Sequence, residues 1–92
     1  MQIVTTKTFD GLFKALDKKI QHKAAQKTEL FKQNPFHSTL RTEKLHPKAR
    51  EVWSFRVDLN YRIVFKFTGP DVAELRFIGH HNQIYDYVNF LK

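Results

Sequence analysis

No cysteine occurs in the chain. A disulfide framework and a thiolate metal site are thereby excluded, stability must come from packing, and a reducing compartment fits. Glycine and proline are scarce, three of each, which argues against a collagen-like repeat or a Pro/Gly-rich disordered tail. No apolar run approaches the roughly 20 residues of a membrane span. The opening stretch, Met1 to Thr6, is too short and polar for a secretory signal, so a cytoplasmic protein with no membrane partner is expected. Also missing are an HExxH helix, a serine in a nucleophile elbow and a phosphate-cradling Gly-rich loop.

What is present is apolar and basic. The chain is 41% hydrophobic and includes nine Phe in 92 residues, enough for one core but too short for a second, so residues 1–92 are expected to form a single domain. Sixteen Lys and Arg against nine Asp and Glu give a formal charge of +7. Such an excess favours polyanionic partners through counterion release, nucleic acid first among them, although it also serves solubility alone.

Hydrophobic spacing predicts an α+β fold. Ile3 and Val4 read as a short strand, with Thr8 as the N-cap of a helix starting near Phe9. Phe9, Leu12, Phe13, Leu16 and Ile20 form one apolar stripe. From Asp17 to Asn34 the helical pattern continues, with Ile20, Ala24, Thr28 and Phe31 inside and Lys19, Lys23 and Lys27 as a basic outer stripe, until Pro35 stops it. One long helix and a hairpin capped by Asp17 both fit, and the hairpin is preferred. Phe36 to Arg50, without periodicity, reads as a loop. Period two follows: Trp53, Phe55, Val57 and then Tyr61, Ile63, Phe65, Phe67 alternate with Ser54, Arg56, Asp58 and Arg62, Val64, Lys66. A third strand spans Val72 to about Ile78, and Asn82 is placed to cap a last helix returning Ile84, Val88 and Leu91 to the core. The expectation is an N-terminal strand, a two-helix hairpin, a three-stranded antiparallel meander and a C-terminal helix, with the helices on one face.

A three-residue loop, Asp58-Leu59-Asn60, keeps both apolar sets on one side. It sets Phe55 opposite Ile63 and Arg56 across from Arg62, away from the helices. Facing like charges are destabilising alone, so this register points to a phosphate held between two planar forks of donors. Ordinary ion pairs offer the plainer reading, with Arg56 meeting Asp58 or Glu51 and Arg62 meeting Glu74. Gly79-His80-His81-Asn82 falls at a helix start, where free N–H groups favour anions and histidine can transfer a proton near neutrality. Tyr85 sits one turn on, off the apolar stripe. Lys44, His46 and Lys48 add charge in the crossing loop. The histidine pair has neither cysteine nor an acidic neighbour in sequence, so no metal is expected.

These blocks resemble one family. Gln33-Asn34-Pro35-Phe36, the Leu40 to Leu45 stretch, Trp53 to Val57, Asn60 to Phe65 and Ile78 to Tyr85 are similar to the RelE/ParE toxin superfamily, specifically its RelE-type messenger RNA interferases. The likeness covers nearly the whole chain, and its middle block is the most specific. It implies a RelE-like fold whose concave face enters the ribosomal A site, and cleavage by the RNA's own 2′-hydroxyl with no metal or other cofactor. It implies that Arg62 stabilises the transition-state phosphate and that Arg56 is the basic residue of the preceding strand. His81 and Tyr85 match the histidine and aromatic residue, four apart, of YafQ-like members, and Lys44 matches a further basic position. RNA binding is expected at Lys44, His46, Lys48, His80, Lys19, Lys23 and Lys27. The implied partners are the ribosome, messenger RNA and a cognate antitoxin of a type II toxin-antitoxin system. Two departures stand out: Ser54 where some members carry a second basic residue, and His81 where some carry arginine. General acid and base are not separately assigned. The superfamily also contains ParE-like DNA gyrase inhibitors and non-toxic RNA-binding relatives, and both readings stay open.

Overall fold

The computed structural model describes residues 1–45 and 51–90, the side chains of residues 85 and 87–90 excepted. The element order is β1 (Gln2–Thr5), α1 (Lys7–Lys14), α2 (Lys18–Gln33), a 3-10 turn (Ser38–Leu40), β2 (Glu43–Lys44), β3 (Trp53–Arg56), β4 (Tyr61–Gly69), β5 (Val72–His80) and α3 (His81–Phe90).

The helical hairpin forms as preferred. Asp17 caps α2, its carboxylate accepting from the Lys19 N–H at 2.8 Å. Gln21 closes the joint from the other side, its Nε2 donating to the Phe13 carbonyl at the end of α1 and to the Leu16 carbonyl in the link between the helices. The first cap differs from expectation. Thr6, not Thr8, accepts from the Phe9 N–H, because β1 pairing runs to the Thr6 N–H, which donates to the Leu75 carbonyl, and the helix begins directly after it. Asn34 ends α2 in extended backbone, as the residue before Pro35 must.

One five-stranded sheet has the order β1-β5-β4-β3-β2. β3, β4 and β5 make the antiparallel meander, while β1 pairs parallel to β5, with Ile3 beside Ala73, because the helical layer carries the chain from one sheet edge to the other. The supposed loop before the sheet holds β2, two residues that pair with Trp53 and Ser54 of β3. So short a strand has no period to betray it.

Two cores result, one on each face. Under α1 and α2, Phe31 stacks on Phe55 at 4.5 Å and meets Phe65 edge-on at 4.7 Å, joined by Phe9, Leu40, Ile63 and Leu75. The opposite face carries a smaller cluster of Leu45, Val52, Val64 and Ile84, with Phe77 beside it. The expectation that every helix shares one face is therefore corrected: α3 lies on the far side, and Ile84 packs there instead of in the main core. The apolar stripe of a helix says that it packs, not on which face. Val88 and Leu91 lie outside the described side chains. Among the described residues no helix is long and apolar enough to cross a membrane.

Candidate active site

The register expected from the loop length is found. Phe55 pairs with Ile63 and Arg56 with Arg62, and the Val57 N–H donates to the Tyr61 carbonyl at 2.9 Å. Asp58 fastens the turn, accepting from the Asn60 and Tyr61 N–H groups at 2.8 and 2.9 Å and pairing with Lys23 of α2 at 3.4 Å. Burial pushes the Asp58 carboxyl up, but these hydrogen bonds and the ammonium outweigh it and hold the group below its ordinary value.

The two arginines are treated differently. Arg62, with a side chain only 11% exposed, donates from Nε to Ser54 Oγ at 2.9 Å and from Nη2 to the Arg41 carbonyl at 2.8 Å, and approaches Glu43 Oε1 at 3.6 Å. Arg41 has a φ of 49°, a left-handed conformation that residues other than glycine rarely adopt, and its carbonyl is the one that meets the guanidinium. Ser54 is wholly buried. Gly79 pairs with Arg62 across the next ladder, where a Cβ would come within 2.8 Å of Phe77 Cζ and 2.9 Å of Gln83 Oε1. The Arg56 side chain, by contrast, has no ion pair or hydrogen bond among the described residues. The plainer pairings do not occur: Glu74 is bound to Arg76 at 2.7 Å, and Glu51 lies 3.8 Å from Lys44.

His81 opens α3, and its N–H donates to the Asn60 carbonyl at 2.7 Å, which ties the helix start to the β3–β4 turn. The cap is His80, whose Nδ1 accepts from the Asn82 N–H at 3.2 Å; Asn82, expected in that role, lies inside the helix. The two imidazoles stack at 4.5 Å.

A cavity of about 280 Å³ gathers Arg56, Arg62 and His81, with Glu43, Asp58 and Leu59 around them and Ile84 of the small core at its wall. Three of the four residues expected to act are thus brought together. The fourth, Tyr85, has its side chain outside the described residues, as do His46 and Lys48 entirely. Lys44 is not brought in: paired with Trp53, it turns to the helix side and lies 5.8 Å from the indole ring. Lys23 and Lys27 line a separate hollow next to Arg56, and Lys19 lies farther along α2 beside His22.

Sequence reasoning missed Glu43 and the orienting role of Ser54. Ser54 was within reach, since it precedes Arg56 by two and must share its face. Glu43 enters only through the pairing of β2. Chemically, the cavity offers a fixed guanidinium, an open one, an imidazole and two carboxylates, of which Asp58 is tied into the turn, a set able to hold a phosphodiester and move protons on either side of it. Among the described residues no group of three His, Asp or Glu is placed to hold a metal ion.

A family model described as a ParE-like toxin domain matches residues 18–83, over two thirds of the sequence. The chain belongs to the ParE-like toxin domain family. It lies within the RelE/ParE toxin superfamily, as the sequence blocks implied. The toxin fold matches the YoeB/ParE toxin from Agrobacterium tumefaciens with a TM-score of 0.73 at 21% identity, covering 88% of this chain and 99% of that one. YafQ from E. coli strain BL21(DE3) gives 0.74 at 15%, covering 91% and 97%. A chain of the RelB-RelE antitoxin-toxin complex from Methanococcus jannaschii gives 0.66 at 24%, covering 91% and 96%. No curated protein sequence matches. At these identities the structural likeness is one of fold.

Proposed function

We propose that this toxin domain is a ribosome-dependent endoribonuclease that cuts messenger RNA and so blocks translation. The observation that carries the reading is the convergence of Arg62, Arg56, His81 and Glu43 on one cavity. The RNA's 2′-oxygen attacks the adjoining phosphorus while the bond to the 5′-oxygen breaks, leaving a 2′,3′-cyclic phosphate and a 5′-hydroxyl. Glu43 takes the 2′ proton: among the described residues its carboxylate meets only the Arg62 guanidinium, at 3.6 Å, whereas Asp58, the other carboxylate at the cavity, is engaged by two N–H groups and Lys23. His81 gives a proton to the departing 5′-oxygen. The two guanidiniums hold the non-bridging oxygens and offset the charge that develops there, which leaves no step that requires a metal ion. Tyr85, one turn along α3, is assigned to the flanking nucleotide on its resemblance alone.

A partner follows from the same charge. The RelE of Methanococcus jannaschii is captured with RelB, and a cognate antitoxin laying acidic side chains over this basic surface would occlude the cavity. We assign the protein to the cytoplasm, where ribosomes are, as a single toxin domain. Purified toxin added to ribosomes programmed with a defined message, with products mapped at their 5′ ends, tests the reading. Cuts within the A-site codon support it. An intact message combined with arrested DNA supercoiling would instead establish a gyrase inhibitor.

A further inference from the structure

The Asp58-Leu59-Asn60 turn has a hollow on each side. One is the active cavity; the other, about 400 Å³, lies between the turn and α2 and is lined by Lys23, Gln26, Lys27 and Thr39. Arg56 and Leu59 border both, so a chain leaving the first hollow over the turn enters the second. We propose that the second hollow is an anion subsite in which Lys23, Lys27 and Arg56 hold the RNA phosphodiester next to the reacting one. This rests on the reading above and adds to it a path for the substrate strand.

The donors are available. The Arg56 and Lys27 side chains have no ion pair or hydrogen bond among the described residues. Lys23 pairs with Asp58 at 3.4 Å, but that carboxylate already accepts from two backbone N–H groups, and an ammonium keeps two further donors for a phosphate. Among the described residues that line the hollow Asp58 is the one carboxylate, and with its charge matched by Lys23 the remaining balance favours an anion. Between the hollows stands Leu59, 80% exposed, an apolar tip amid charged groups against which the intervening ribose and base can lie. The division of labour between the arginines then has a reason: Arg62 is held by Ser54 and the Arg41 carbonyl to serve the reacting phosphate alone, and Arg56 is left unlocked because it serves two.

The test is binding of the full chain to 2′-O-methylated oligoribonucleotides of mixed sequence, which cannot be cleaved, two and five nucleotides long, followed by fluorescence anisotropy at several salt concentrations. The five-mer should bind more tightly than the two-mer. Lys27→Ala and Lys23→Ala should each weaken the five-mer roughly fivefold and lower the slope of log affinity against log salt by about 0.7. Lys32→Ala removes the same charge from the last turn of α2, where Lys32 pairs with Glu29, and should change neither. Equal effects of Lys27→Ala and Lys32→Ala, or a wild-type chain that binds both lengths equally or neither, would overturn the subsite. Full, length-independent displacement by an acidic peptide would reassign the hollow to a protein partner. Because no cleavage is read, the outcome stands apart from whether the toxin cuts messenger RNA.

Discussion

The two faces of the sheet differ in what they bury. Beneath α1 and α2 the buried side chains form one continuous apolar cluster with three phenylalanines in mutual ring contact. On the other face a cluster of four, Leu45, Val52, Val64 and Ile84, is bordered by the wholly buried Ser54 and the nearly buried Arg62. The first face is packed for stability. The second spends buried area on holding a charge in place, which an apolar core has no reason to do, since burying a cation is costly unless it is hydrogen-bonded.

The sharpest way to break this comparison is to make a comparable cut on each side. Phe55→Ala on the helix face empties a fully buried aromatic site and should cost about 3 to 5 kcal/mol in a denaturant titration, with activity lost only as the fold is lost. Arg62→Ala on the other face should slow cleavage by about a hundredfold, near 3 kcal/mol of transition-state stabilisation. Sequence reasoning alone has either arginine substitution leave folding stability unchanged or slightly improved, because it sees facing like charges. The structure separates them: Arg62→Ala strands the buried Ser54 hydroxyl and should lower stability by about 1 to 2 kcal/mol, whereas Arg56→Ala should melt within about 0.5 kcal/mol of the parent while still losing activity. Similar melts for the two variants would remove the distinction.

The smallest expected effect concerns the turn that joins the faces. The Asp58 carboxyl sits below its ordinary value when folded, so the stability it contributes is present above the ordinary value of 3.8 and is lost as pH falls through the folded one. Asp58→Asn should therefore be less stable than the parent at neutral pH, and the gap should close as pH is lowered from about 5 towards 3. Thermal melts across that range check it; a gap that persists unchanged at the acid end would mean that the hydrogen bonds, not the charge, fasten the turn.

What was legible in the sequence follows the same division. Alternation and a three-residue loop fixed the Arg56–Arg62 register, because a slip of one would turn Phe55 and Ile63 to the wrong face. His81 was legible from its place between a strand end and a helix start. The second core was signalled by Val64, an apolar residue in the polar phase of β4, yet one valine does not say which helix will cover it. Glu43 was illegible, since its place depends on a two-residue strand pairing with Ser54, a tertiary event that leaves no local pattern. Thr6 and Thr8 both suit a cap, and only the extent of β1 pairing decides between them.

The central claim is that the second face performs proton transfer at a phosphate. The most direct measurement is the single-turnover rate of ribosome-dependent cleavage against pH for the parent, Glu43→Gln and His81→Gln. The parent should give a bell: the rate falls on the acid side as the base is protonated and on the alkaline side as the acid loses its proton. Glu43→Gln should be slower by about a hundredfold and lose the acid-side fall, and His81→Gln should be slowed similarly and lose the alkaline-side fall. Two variants that cut at the parental rate with the parental bell would contradict the account.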